Sequence, residues 1–256
     1  MDRTAVLLTS FFKQTTEIRF HLDCQLIGNA TALNYRVVVV DASPDTAVRH
    51  AFSRIGAIVF PQMTKGIGPS RRELFRHAGE ESTYSPDVPL PDIFIWMEEK
   101  VDLIRWIPTI IAPILSGEAD IVIPSRSEIS WQSYPTFQAE SEQKANACYA
   151  DVTGRCFDVM FGPVAFRRAM LPYFAACNPA ERFGVFDTYI QHIAPLEAIT
   201  HGARVMSVPV DFFYPSVQKV EEETVLLGAM REKRQWQLEE CMNAYRVVAR
   251  ELKLKS

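Results

Sequence analysis

The first hundred residues alternate between short apolar runs and longer stretches with helical spacing. Thr4–Leu8 is a brief apolar run that stops at Thr9 and Ser10, and it reads as a strand and its loop. Between residues 15 and 33, Ile18, Leu22, Leu26 and Ile27 recur at the spacing that gathers side chains on one helix face. Arg36 then leads four consecutive valines, Val37–Val40, a β-branched run suited to a strand covered on both sides. Residues 41–45 have a turn composition that also supplies a helix start. Thr46–Ile55 reads as a helix closed by Gly56, and Ala57–Phe60 as a third strand. Strand, helix, strand, helix, strand in this order predicts parallel βαβ units.

The later pattern is less regular. A helix is expected to follow Lys65–Arg72 and run through Ala78, and a proline-rich loop to cover 80–92. Ile93–Trp96 is a four-residue apolar strand, followed by Met97 and then by Glu98, Glu99 and Lys100 together. A helix is expected over Ile104–Leu115, with Pro108 near its start and Gly117 past its end. Next come a strand at Asp120–Ile123, a loop over 127–137, and a long helix from Thr136 to Thr153. A short helix is expected at Ala169–Ala176. A further helix opens around Gly184–Asp187, with Asp187 as its N-cap, and runs to about Gly202. Residues 203–210 form a last strand whose Pro209 suggests an edge or a bulge. From Glu221 onward the alternation reads as one or two amphipathic helices. These suit packing on the same domain better than a dimer contact or a membrane face.

Composition narrows the class. Of 256 residues, 48% are apolar and 23% charged, enough apolar material for one large α/β domain rather than a disordered chain. The net charge of −4 comes without any lysine- or arginine-rich block, so nothing argues for nucleic-acid binding. Five widely spaced cysteines with no Cys-x-x-Cys pair suit reduced thiols in a cytoplasmic protein. No apolar run approaches the length of a transmembrane segment, and the N-terminal run is short for a signal peptide.

Two stretches carry candidate chemistry. The buried strand at 93–96 discharges two carboxylates and an ammonium at its carboxyl end, where open α/β sheets bind ligands. Lys65, Gly66, Gly68, Arg71 and Arg72 combine glycines, which admit close backbone approach, with cations suited to phosphate oxygens. Their spacing matches neither the dinucleotide fingerprint nor the P-loop, and an ordinary basic loop is the simpler reading of that segment alone. Asp158 stands in an otherwise apolar segment. Buried, it requires a partner, either backbone donors or an acceptor substrate.

The order of these motifs resembles the glycosyltransferase-A fold, and in particular the family-2-like nucleotide-sugar transferases, over residues 4–215. The resemblance rests on the strand ending at Thr9, the valine run ending at Asp41, Gly56-Ala57, the Lys65–Arg72 loop, residues 117–126, Asp158 with Gly162 and Phe166–Arg168, and Gly202–Val210. It implies a single-domain GT-A (Rossmann-like) α/β fold over 1–220, mostly parallel, with a C-terminal helical extension over 221–256. It implies a nucleoside diphosphate sugar as donor, an acceptor the sequence does not name, and transfer between them. A non-catalytic nucleotide-sugar-binding or scaffold protein of the same fold is the alternative. By resemblance, Thr9 lines the nucleotide pocket, Asp41 meets the base, and Lys65, Gly66, Arg71 and Arg72 face the diphosphate or the base. Asp187 or Asp158 would serve as general base on the acceptor side.

The family usually carries Asp-x-Asp at the central strand end, holding Mg²⁺ or Mn²⁺ against the diphosphate. Here Glu98, Glu99 and Lys100 stand there. Either Glu99 still holds a metal, with His201 as a conceivable further ligand, or Lys100 supplies the charge and activity is metal-independent. A nucleotidyltransferase of related fold would need a glycine-rich loop after the first strand, and Leu8–Phe12 contains no glycine.

Overall fold

The computed structural model describes residues 3–254. Among them, seven strands form one sheet in the order β3-β2-β1-β4-β6-β5-β7. The strands are β1 (Thr4–Ser10), β2 (Arg36–Asp41), β3 (Ile58–Pro61), β4 (Ile93–Trp96), β5 (Ile121–Arg126), β6 (Val164–Arg167) and β7 (Val205–Val210). All pair in parallel except β6, which runs antiparallel to both β4 and β5. The helices are α1 (Ile18–Ala32), α2 (Thr46–Arg54), α3 (Ile67–Gly79), α4 (Ile107–Leu115), α5 (Glu128–Ser133), α6 (Thr136–Thr153), α7 (Leu171–Ala176), α8 (Pro179–Phe183), α9 (Ile190–Thr200), α10 (Ser216–Glu223) and α11 (Leu227–Glu251).

The valine run explains why the sheet is covered on both sides. Successive side chains of a strand point to opposite faces. Val37 and Val39 enter one core with Phe20, Leu26, Phe52 and the isoleucines of α4. Val38 and Val40 enter the other, with Leu74, Phe75, Phe166 and Tyr149. All four are at most 1% exposed. The turn after β2 starts a helix as expected, because the Asp45 side chain accepts from the Ala47 N–H at 2.8 Å. Pro108 occupies the first turn of α4, and Pro209 lies on β7, an edge strand.

The differences cluster in the later half. The 127–137 loop contains the one-and-a-half-turn helix α5, capped by Ser127. The helix expected to open at Gly184–Asp187 does not. Residues 179–183 form α8, which ends on left-handed Gly184, and α9 begins only at Ile190 with Tyr189 at its N-cap. Asp187 therefore caps nothing. The C-terminal helices begin at Ser216, earlier than expected, and α11 packs along α6. Among the described residues no helix is long and apolar enough to cross a membrane, and the cysteines are free thiols.

Because β1 leads through α1 to β2 on one side while β4 lies on its other side, the strand order reverses at β1. A crevice opens at the carboxyl ends around such a point.

Candidate functional site

That crevice gathers most of the residues singled out in the sequence. At the end of β2, Asp41 is 1% exposed. One carboxylate oxygen accepts from Ser10 Oγ (2.7 Å) and Ser43 Oγ (2.6 Å), and the other from Arg49 Nη1 at 3.0 Å. Its carboxylate is thus held by the protein's own donors. At the end of β1, the Thr9 hydroxyl donates to Glu98 across the neighbouring strand end.

The end of β4 is the most highly charged part. Glu99 adopts a left-handed backbone conformation (φ 54°), which costs a non-glycine residue on the order of 1 kcal/mol. Two contacts hold it there. Its N–H donates to Asp23 Oδ1 at 2.9 Å, and its carboxylate pairs with Arg19, both partners coming from α1. Burial and then the neighbouring Glu99 push the Asp23 carboxyl well above the usual carboxylate range. Burial works against the Glu99 charge too, but Arg19 prevails and holds its pKa down. Gln218 of α10 approaches the second Glu99 oxygen at 3.5 Å. A cleft of about 360 Å³ lies over this strand end, walled by α1 on one side and α10–α11 on the other. Lys100 and Lys233 both line it. Burial lowers the Lys100 pKa, with Glu99 and Glu142 opposing.

Beside the crevice, Gly66 (φ 119°) turns the chain into α3. The preceding loop is tied down by Glu73, which accepts from the N–H groups of Met63 (2.9 Å) and Thr64 (2.7 Å). Lys65 is exposed on this loop. Arg71 and Arg72, consecutive in sequence, have different surroundings. The Arg72 guanidinium makes a two-pronged ion pair with Asp187, both bonds 2.7 Å. Asp187 sits so close to the first turn of α3 that a Cβ on Gly68 would fall 2.3 Å from its carboxylate. Arg71 is 8% exposed and lies over the Trp96 ring, 4.7 Å from its centroid. It donates to the Thr188 carbonyl and to Gln191 Oε1 (3.0 Å) but has no carboxylate partner among the described residues. Its Nε, the Trp96 Nε1 and the Thr188 hydroxyl are buried without hydrogen bonds.

Asp158, preceding β6, is clamped. Arg126 at the end of β5 donates to it from its backbone N–H (3.0 Å), Nε (2.8 Å) and Nη2 (2.7 Å), and Asn146 adds a bond of 2.7 Å. Burial opposes the Asp158 charge, yet Arg126 keeps the carboxyl below its ordinary value. Arg126 also pairs with Glu142 and stacks on Trp131, 3.5 Å from the ring centroid.

His201 lies elsewhere. It ends α9, bonded through Nδ1 to the Glu197 carbonyl at 2.8 Å, and precedes β7. Since β7 runs parallel to β5, and β5 and β4 each run antiparallel to β6, His201 is at the amino ends of the strands, opposite Glu99. The two cannot share an ion, which corrects the expected pairing. Among the described residues no group of three His, Cys, Asp or Glu side chains is arranged to hold a metal. The donor set at the β4 end does not fit a divalent cation. Glu99 is neutralised by Arg19, Glu98 receives the Thr9 hydroxyl, and Lys100 and Lys233 add like charge.

Sequence reasoning overlooked Arg19, Asp23, Arg126, Gln218 and Lys233. One signal was available for the first two: Arg19 and Asp23 are four residues apart, and Asp23 falls beside Leu22 and Leu26 on a face meant for the core.

No protein-family profile and no curated protein matches the chain. Solved structures do. A glucosyl-3-phosphoglycerate synthase from Mycobacterium tuberculosis, crystallised with Mn²⁺, uridine-diphosphate-glucose and phosphoglyceric acid, superimposes with a TM-score of 0.56 at 15% identity, over 93% of this chain and 79% of that one. The same enzyme with phosphoglyceric acid gives 0.55 at 13% identity, over 90% and 79%. With Mg²⁺ and uridine diphosphate it gives 0.52 at 14% identity, over 90% and 78%. The fold is therefore that of the glycosyltransferase-A class, as the motif order implied.

Proposed function

We propose that the protein is a glycosyltransferase that moves a sugar from a nucleoside diphosphate sugar to an acceptor hydroxyl. The observation that carries this reading is Arg71, a buried guanidinium with no carboxylate partner at the crevice where this fold binds ligands. A permanently charged group in that position calls for an anion. A nucleoside diphosphate supplies one, and the structural neighbours were crystallised with uridine diphosphate or its glucose ester.

The donor site then belongs to the sheet and its flanking helices, and the C-terminal helices α10 and α11 close the cleft over it. Thr9 and Asp41 line the nucleotide end, and Lys65, Gly66, Arg71 and Arg72 flank the donor. Glu98, Glu99 and Lys100 stand where the diphosphate leaves. In the reaction, the bond from the sugar's anomeric carbon to the diphosphate oxygen breaks and the electron pair departs with the diphosphate. The acceptor oxygen bonds to the same carbon and gives up its proton. The developing charge on the leaving group is what the cations of the crevice stabilise. Asp187 is the better-placed base, since its side chain is about a fifth exposed and shares only Arg72, whereas Asp158 is enclosed by Arg126 and Asn146.

The engagement of both carboxylates by arginines favours one second reading, a protein that binds nucleotide sugars without turning them over. A thermal-shift screen of UDP-, GDP- and ADP-sugars, each followed by a hydrolysis assay with and without Mn²⁺, separates the two. Transfer or hydrolysis is the expected result. Stabilisation without turnover across a broad acceptor panel supports the second reading, and no shift with any nucleotide sugar removes both.

A further inference from the structure

The cleft at the end of β4 contains two ammonium groups that make no close ion pair among the described residues. Lys100 follows the strand, and Lys233 reaches in from α11. Neither has a carboxylate within 4 Å or a hydrogen-bond acceptor among the described residues. The nearest recorded partner of Lys100 is the Phe212 ring, 5.9 Å from its Nζ. Burial lowers the pKa of both, with Arg234 and Arg19 adding to it at Lys233, while Glu99 and Glu142 oppose it at Lys100 and Glu99 and Glu222 at Lys233. Both line the same cleft, Lys100 from the strand end and Lys233 from α11, so an anion bound there has two ammoniums on its walls.

Most acids of the lining are engaged elsewhere: Glu17 accepts from the N–H groups of Lys13 (2.6 Å) and Gln14 (3.0 Å), and Glu221 alone has no side-chain partner among the described residues. Arg19 takes Glu99, and Thr9 donates to Glu98. Glu222 accepts from the Tyr214 hydroxyl (2.8 Å) and from Gln218 (3.1 Å). Arg234, next along α11, is directed instead toward Glu142. The carboxylates that would ordinarily hold a divalent cation are committed, and the lysines would repel one.

We propose that Lys100 and Lys233 bind the diphosphate of the donor directly, replacing the divalent cation, so that α11 supplies part of the donor site. This rests on the donor reading above and deepens it. A pair of ammoniums neutralises a diphosphate as a dication does, without oxygen ligands from the protein. The proposal also explains why a helix from the far end of the chain lines a cleft formed by β4 and α1.

The test is calorimetric titration of UDP, GDP and ADP into the full chain, in excess EDTA and again in Mn²⁺, with Lys233→Ala, Lys233→Arg and Lys100→Met alongside. Lys233 is on an exposed turn of α11, so its variants should fold, and melting without ligand verifies this. The expected result is that one nucleotide binds in EDTA with an affinity within about twofold of that in Mn²⁺. Lys233→Ala and Lys100→Met should each weaken it about tenfold or more, and Lys233→Arg should retain most of it. Binding that requires Mn²⁺ overturns the proposal while leaving the donor reading intact. Binding in EDTA that neither lysine affects overturns it as well, by placing the diphosphate elsewhere. Absence of binding by all three nucleotides in both conditions removes the donor reading itself.

Discussion

Two buried guanidiniums stand at the same end of the sheet and could hardly be more differently provided for. Arg126 has two carboxylates, Asp158 and Glu142, and three flanking aromatic rings. Arg71 has one ring, a carbonyl and an amide, and three buried polar atoms nearby go without partners. The first arrangement is complete without a ligand and ties β5 to the segment before β6. The second is incomplete. An ion pair enclosed in a fold serves mainly to keep elements in register, whereas an enclosed charge lacking its counterion implies that something arrives from outside.

The sharpest way to break this contrast is Asp158→Ala. It leaves Arg126 with too little compensation and should cost about 3–5 kcal/mol in urea unfolding. If Asp158 were instead chiefly the catalytic base, stability would hold and only turnover would fall. Next is Arg71→Met. It should weaken nucleotide binding roughly thirtyfold in titration, about 2 kcal/mol, while costing less stability than the Asp158 change. Loss of stability with unchanged binding would make the two sites alike. Gly68→Ala follows. Its new methyl meets the Asp187 carboxylate and should cost about 1–3 kcal/mol and disturb the Arg72 pair, seen as a lowered melting temperature.

The last effect is confined to acid pH and is seen as a titration. His192 is 2% exposed, bonded to the Tyr245 hydroxyl at 2.7 Å, and lies within the fields of both assemblies. Burial and then Arg71 lower its pKa from 6.5 to about 3, while Asp158 pulls the other way. The unfolded chain therefore binds the proton first. Stability from this group is full above pH 6.5 and declines as pH falls from there toward 3. A His192→Gln variant should flatten that acid-side slope. In Arg71→Met the His192 NMR titration should move upward. A slope unchanged by His192→Gln would assign the acid sensitivity to the carboxylates instead.

The parallel half of the sheet was legible because its signals are local. Valines alternate between faces, and Asp45 and Gly56 mark the ends of α2. The turn into α3 at Lys65–Arg72 was legible for the same reason, since Gly66 marks it in the sequence. What stayed hidden was pairing across long separations. Arg19 looks like any polar residue of an amphipathic helix until β4 is laid beside β1, which puts Glu99 against it. Asp187 reads as an N-cap because Asp before an apolar run usually is one, but Arg72, 115 residues earlier, claims its carboxylate. Lys233 belongs to a segment whose mixed charge suggests only a solvated face. Its place over the cleft follows from the packing of α11 on α6, which no local pattern encodes.

The reversed strand β6 has a consequence for how such a molecule can change over generations. Because β5 ends and β6 begins at the crevice, everything between them, residues 127–163, leaves and returns at the same rim. Its loops can lengthen or shorten at that rim without shifting a rung of the ladder, while α6 and Asp158 stay in place to hold α11 and Arg126. A lineage could thus trade one wall of the crevice for another, with the parallel half of the sheet inherited unaltered.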